Sequence, residues 1–316
     1  MKRYLILILA FCLPISFLFA DVPYLGYSDY QIVTDPTFDA SSYFQEMESH
    51  GVNLQRIWTS GYNNSIPHVR ELMPFEKLGG KYNLDRIDPD YLIRLRSVIS
   101  SARTHNQKVL LTLFDHWALS TEEIFPQSPW FYKNNRNGIL KKALPDFYNL
   151  RKKNLVAIQK NYVRTIVSRT REFDPIYEIM NEANWSADCA VLDSWQRRVA
   201  SWILAEDPDA EIAINIQGHC TGILQDPWVD VISFHAGVWE GNGICNTVQK
   251  YIKTGKTIVI DTDGAWETRD ENRRVTQWLR ESLRCGASFN HKDNIYKPDL
   301  QLLREYRIQS ERLDTK

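Results

Sequence analysis

The sequence predicts an α/β protein built as a single (β/α)8 barrel. Three observations carry that prediction. Eight short runs of apolar and β-branched residues recur along the chain, stretches with apolar residues three or four apart separate most of them, and no Pro/Gly/Ser-rich linker or repeat divides the 316 residues. Parallel strands need crossover helices to cover the sheet, so this alternation implies a parallel sheet wrapped by helices. A doubly wound open sheet would alternate in the same way. It is disfavoured because no Gly-rich phosphate loop follows the first strand.

Taken in order, the first twenty residues read as an export signal. Lys2 and Arg3 give a positive start, residues 4–19 are almost wholly apolar, and Ala20 supplies a small residue before Asp21. A retained anchor would need a longer run, uninterrupted by Pro14 and followed by a basic cluster. A lipoprotein reading at Cys12 is disfavoured by the bulky Phe11 before it. We therefore expect cleavage, a barrel domain over residues 21–316, and a secreted, periplasmic or cell-surface location without stable membrane insertion. A monomer is expected.

The eight strand candidates are residues 24–27, 52–58, 109–114, 176–180, 211–216, 229–234, 257–260 and 287–289. Helical spacing marks residues 43–50, 89–105, 155–173, 193–206 and 273–284. The longest irregular stretch, 115–150, follows the third strand and is rich in Pro, Asn and aromatics. A loop of that length on the catalytic side of a barrel reads as functional.

Composition narrows the function. The 38 Lys and Arg nearly cancel the 39 Asp and Glu, and 43% of residues are hydrophobic. That excludes a disordered chain and a general polyanion or nucleic-acid binder. Aromatic residues are in surplus, with 10 Trp, 15 Tyr and 13 Phe. Cys189, Cys220, Cys245 and Cys285 allow three disulfide pairings that the sequence does not rank, and without a CxxC element they do not suggest zinc.

In a barrel, chemistry sits at the C-terminal ends of the strands, so the polar residues there are the candidates. The second strand carries Arg56 and ends near Trp58; the third ends in Asp115-His116-Trp117. The fourth ends in Asn181-Glu182-Ala183-Asn184-Trp185 and the sixth in His235. The seventh ends in Asp261-Thr262-Asp263-Gly264 and the eighth in Asn290-His291-Lys292-Asp293.

The run IYEIMNEANW, residues 176–185, resembles the Asn-Glu end of the fourth strand in the clan A glycoside hydrolases, the cellulase-like and mannanase-like barrels. GVNLQRIW (51–58) resembles their second strand with its Arg, and KTIVIDTDG (256–264) falls where they place a nucleophile. The resemblance covers most of the mature chain in order, although only the Asn-Glu pair is a sharp motif. It implies an O-glycosidase with Glu182 as general acid/base and Asn181 on a sugar 2-hydroxyl; retention is expected, with inversion left open by the shorter Asp side chains of the seventh strand. Glycoside hydrolysis needs one carboxyl to protonate the leaving oxygen and a second to act as nucleophile or to activate water.

The seventh strand departs from the family pattern, which places a Glu there. Aligned from the strand end, the nucleophile column falls on Asp261; aligned backward from Gly264, it falls on Thr262. Asp261 and Asp263 share one face of an extended chain, so both are candidates, with Asp261 ahead and Glu267 a distant third. An Asp-Thr-Asp-Gly turn with capping side chains is the structural alternative, and it would leave a barrel that binds sugar without cutting it.

Arg56, His116, His235 and Asn290 are expected to orient substrate or carboxylates; each has a purely structural alternative, a salt bridge or a satisfied core residue. The Tyr that clan A members often place after the sixth-strand His is missing here. Sugar rings stack on indole, so Trp58, Trp117, Trp130, Trp185, Trp239 and Trp266 are candidates for binding a carbohydrate substrate. A metal-dependent hydrolase using His116, His235, Asp261 and Asp263 is set aside because the first strand lacks a His-x-His pair. No cofactor is expected.

Overall fold

The structure is a computed structural model describing residues 22–60, 72–183, 188–216, 219–235, 243–263, 269–293 and 300–315; the side chains of 263, 269–273 and 293 lie outside that description. Trp185, Trp239, Trp266 and Glu267 fall outside the described residues, as do the twenty residues read as an export signal.

The strands are β1 (Leu25–Asp29), β2 (Leu54–Trp58), β3 (Phe75–Leu78), β4 (Lys81–Ile87), β5 (Lys108–Asp115), β6 (Ile176–Asn181), β7 (Ile212–Ile216), β8 (Val231–His235), β9 (Thr257–Asp263) and β10 (Ser288–Asp293). Eight of them close into a barrel in the order β1-β10-β9-β8-β7-β6-β5-β2, every pair parallel. Closure leaves no unpaired edge. The helices are α1 (Ala40–Ser49), α2 (Pro89–Thr104), α3 (His116–Ser120), α4 (Lys153–Thr170), α5 (Cys189–Glu206), α6 (Ile244–Ile252), α7 (Arg269–Arg284) and α8 (Leu300–Asp314).

The expected single (β/α)8 barrel is therefore what forms, with all eight expected strands in it. Most strands run further toward their C-terminal ends than their apolar cores suggest. The clearest case is β9, which continues through Asp261, Thr262 and Asp263. Those residues are strand and not a capping turn, because Asp261 finds partners inside the barrel.

Local sequence explains the helices. Asp88 caps α2 by accepting from the amides of Asp90 and Tyr91, with Pro89 in the first turn. Helix α4 buries Leu155, Ile158, Tyr162, Val163 and Ile166, one stripe at three- and four-residue spacing. The antiparallel hairpin β3-β4 was not expected; it turns at Gly79 and Gly80, both at positive φ. It joins the loop after β5 through a bridge between Tyr82 and Asn135.

The barrel interior changes character over one two-residue step. Leu54, Leu110, Ile176, Ala213, Val231 and Val259 form an apolar floor. Two residues further along the same six strands stand Arg56, Thr112, Glu178, Asn215, Ser233 and Asp261, all buried. Period-two alternation stacks this polar ring directly above the apolar one.

Disulfides pair Cys189 with Cys220 and Cys245 with Cys285. The first ties the start of α5 to the loop after β7, and the second ties α6 to the residue following α7. No helix among the described residues is long and apolar enough to cross a membrane.

Candidate active site

Arg56 is the hub of the polar ring. Its guanidinium donates through Nη1 to Asp261 Oδ2, through Nε to Glu178 Oε2 at 2.9 Å, and through Nη2 to Glu178 Oε2 at 2.5 Å and Asn181 Oδ1 at 2.7 Å. Its cationic carbon lies 4.4 Å from the centre of the Trp58 ring. A guanidinium suits this place because its planar fork serves several acceptors at once.

One positive charge thus faces two carboxylates, and they divide unequally. Burial alone would push the Asp261 pKa up, but Arg56, His235 and Asn290 together hold it well below the usual carboxylate range. Glu178 moves the opposite way, because burial outweighs the help it receives from Arg56 and from Thr112, whose hydroxyl lies 2.6 Å away. Asp261 is therefore the more readily ionised of the pair.

Asn290 donates to Asp261 Oδ1 at 2.6 Å and accepts from Ser28 Oγ at 2.8 Å. Ser28 in turn accepts from the Arg56 amide at 2.7 Å. Asn181 is held from both sides, its Nδ2 donating to Asp115 Oδ1 at 3.0 Å while its Oδ1 accepts from Arg56. Asp115 also accepts from the Tyr30 hydroxyl.

Glu182 follows the last residue of β6 at a φ of 53°, a left-handed conformation rare for a side chain of this kind. Its amide donates to Asn215 Oδ1 at 2.9 Å, and Asn215 donates to Ser233 Oγ at 2.9 Å, so the ring anchors the turn. His235 joins the two carboxylates expected to act: its Nδ1 lies 3.4 Å from Glu182 Oε1 and its Nε2 lies 3.2 Å from Asp261 Oδ2.

The remaining candidates separate. His116 is fully buried, with Nδ1 hydrogen-bonded to the Tyr148 hydroxyl, and its contacts are with Tyr148 rather than with Glu182 or Asp261. Burial drives its pKa down to about 4 against the opposing pull of Asp115. Trp58 is buried between Arg56 and Tyr30, with Lys292 Nζ 5.7 Å from its ring centre. Trp130 packs in the core against Phe75, Phe114 and Phe147. Trp117 is 38% exposed on α3, the short helix that directly follows β5. Asp263 stands two residues beyond Asp261 on β9, in backbone register with Lys292.

Sequence reasoning missed Glu178, which it read as part of an apolar strand, and expected only Glu182 or the β9 aspartates as partners for Arg56. The available signal was parity: Glu178 is an acid in the middle of a buried strand, an expensive placement without a cation opposite. Among the described residues one group could suggest a metal, since ligand atoms of Cys189, His219 and Cys220 lie within 4.8 Å of one another. The two sulfurs are spent on their mutual disulfide, so they cannot act as thiolate ligands.

No protein-family model matches the chain. A probable mannan endo-1,4-β-mannosidase F of Neosartorya fischeri is 24% identical over 189 residues; the match spans 57% of this chain and 38% of that protein, well under half its length. The endo-1,4-β-mannanase of Rhizomucor miehei superposes with a TM-score of 0.68 at 13% identity, covering 93% of this chain and 96% of the other. The endo-β-1,4-mannanase of Thermotoga petrophila gives a TM-score of 0.66 at 17% identity, covering 91% and 77%. The chain therefore has the (β/α)8 fold of these clan A glycoside hydrolases, the superfamily its Asn181-Glu182 strand end resembles.

Proposed function

We propose that the protein is an exported glycoside hydrolase acting on a β-1,4-linked mannan or a closely related polysaccharide, by a retaining two-carboxylate mechanism. The observation that carries this reading is His235, placed between Glu182 and an Asp261 that Arg56 holds as an anion. An ionised carboxylate and a separate acid, here carried by β9 and the end of β6 with β7 and β8 between them, are the groups that glycosidic cleavage requires. The substrate class rests on the mannanases whose fold the chain shares.

In this mechanism Glu182 gives its proton to the glycosidic oxygen as the bond to the anomeric carbon breaks. Asp261 attacks that carbon to form a glycosyl ester, and Glu182 then takes a proton from the water that displaces the ester. Arg56 and Asn290 aim Asp261, Asn181 faces the sugar 2-hydroxyl, and Trp117 with Trp185 and Trp239 stacks on sugar rings. The two disulfides support export to an oxidising compartment.

The test is release of reducing ends from β-mannan, with proton NMR following the first anomer formed. The expected product keeps the β configuration, and Glu182→Gln lowers the rate by about 10²- to 10⁴-fold while the fold survives. A Gln variant as active as the parent overturns the assignment. One observation favours a second reading, a barrel that binds sugar without cutting it: Asp261 is wholly buried and both its carboxylate oxygens are engaged. Mannan binding without any release of reducing ends would decide for that reading.

A further inference from the structure

A second cleft lies on the outside of the barrel, in the segment that leads from the end of β5 to the start of α4. It encloses about 580 Å³ and is lined by Gly138, Ile139, Leu140, Lys141, Asp146 and residues 151–155. Its charge is unlike that of the whole chain. Residues 133–153 contain seven Lys and Arg and a single acid, in a protein of net charge −1. That acid, Asp146, is already paired with Lys152 at 2.6 Å. Lys141, Arg151 and Lys153 are exposed along the lining and add three further positive charges.

The wall is built and not merely folded over. Asn135 is buried, and its amide donates to the carbonyls of Phe131 at 2.9 Å and Ile139 at 3.3 Å while its Oδ1 accepts from the Ile139 amide at 3.2 Å. This fixes the strip that carries Ile139, Leu140 and Lys141. Helix α4 opens on the opposite side, and no side chain caps its first turn.

We propose that this cleft is an accessory carbohydrate site for acidic polysaccharide, one bearing carboxylate or sulfate groups. The cations supply charge complementarity, and half-buried Ile139 supplies a small apolar patch beside them. The volume falls within the range of pockets that hold small ligands, roughly 300 to 1,000 Å³. A lipid surface fits less well, because Leu140 and Leu155 are buried and Ile139 half-buried, leaving no apolar anchor to insert. The site is separate from Glu182 and Asp261, so it stands or falls apart from the hydrolase reading.

Affinity electrophoresis and titration calorimetry of the full chain with polygalacturonate and with dextran sulfate test the proposal. Expected are binding to at least one of the two, weakening by tenfold or more in the combined variant Lys141→Gln/Arg151→Gln/Lys153→Gln, and weakening as NaCl rises from about 0.05 to 0.5 M. Glu182→Gln should bind as the parent does. A thermal melt of the combined variant matching the parent excludes misfolding as the cause of its loss. Equal binding by parent and combined variant overturns the proposal, as does failure of both polymers to bind at low salt. Retention on phosphatidylserine vesicles without binding to either polymer also overturns it, in favour of a lipid surface.

Discussion

The side chain of Asn290 lies directly over Gly26. A methyl group at Gly26 would come within 2.4 Å of Asn290 Oδ1, closer than real carbon contacts allow, and within a tight 3.0 Å of its Cβ. The two residues are register partners on β10 and β1, so neither can move away along the strand. Gly26 is the space that lets Asn290 reach Asp261. We predict that Gly26→Ala displaces Asn290, costs about 1 to 3 kcal/mol through overpacking, and lowers kcat tenfold or more with a smaller change in KM. Urea denaturation and mannan kinetics check the two parts separately; a variant with unchanged kcat would remove Asn290 from the positioning machinery.

Arg56 serves Glu178, Asp261 and Asn181 from one fully buried guanidinium. Removing it leaves Asp261 as a buried charge without its cation, which typically costs about 3 to 5 kcal/mol. We predict that Arg56→Met falls in that range by urea denaturation. Adding Glu178→Gln and Asp261→Asn should recover much of the loss, because the stranded charge is then gone. Arg56→Lys should remain defective, since an ammonium cannot span the same set of acceptors.

The choice between the β9 aspartates turns on reach. Asp261 is held at both oxygens, whereas Asp263 stands two positions closer to the C-terminal end of the strand. Asp261→Asn should reduce mannan hydrolysis by three orders of magnitude or more, and added azide should restore turnover as a glycosyl azide. Asp263→Asn should keep most activity. Rescue appearing at Asp263 alone would move the nucleophile one step along β9, and loss at neither position would refute a β9 carboxylate.

Much of this arrangement is legible in the chain. A cation inside the apolar run 52–58 and an Asn-Glu pair ending another run have no inexpensive apolar explanation, so Arg56, Asn181 and Glu182 stand out. Glu178 hides because it lies in the same run as Glu182, and only the barrel register puts it opposite Arg56. Trp117 and Trp130 look alike in sequence, both beside turns in the long loop. Packing separates them: Phe75, Phe114 and Phe147 surround Trp130, while Trp117 stays exposed. The hairpin β3-β4 escaped notice because β3 has only four residues and two of them are exposed.

His116 gives the protein an acid-sensitive element distinct from its carboxylates. The ring is buried, hydrogen-bonds to Tyr148, and has its pKa driven down to about 4 from an ordinary 6.5, because burial penalises the imidazolium more than Asp115 favours it. In the unfolded chain the same residue takes up its proton near 6.5. Between those values the unfolded state binds more protons than the folded one, so stability rises with pH across the window and falls as the solution is acidified. The full effect is about 3 kcal/mol, developed progressively from pH 6.5 down to pH 4 and flat below. We predict that His116→Gln, which keeps a hydrogen-bonding group for Tyr148 but does not titrate, shows a shallower loss of unfolding free energy over that range. Urea denaturation of parent and variant at half-unit pH intervals isolates the term, because every other titrating group is common to both. Parallel curves would mean that His116 accepts its proton in the folded state as readily as in the unfolded one.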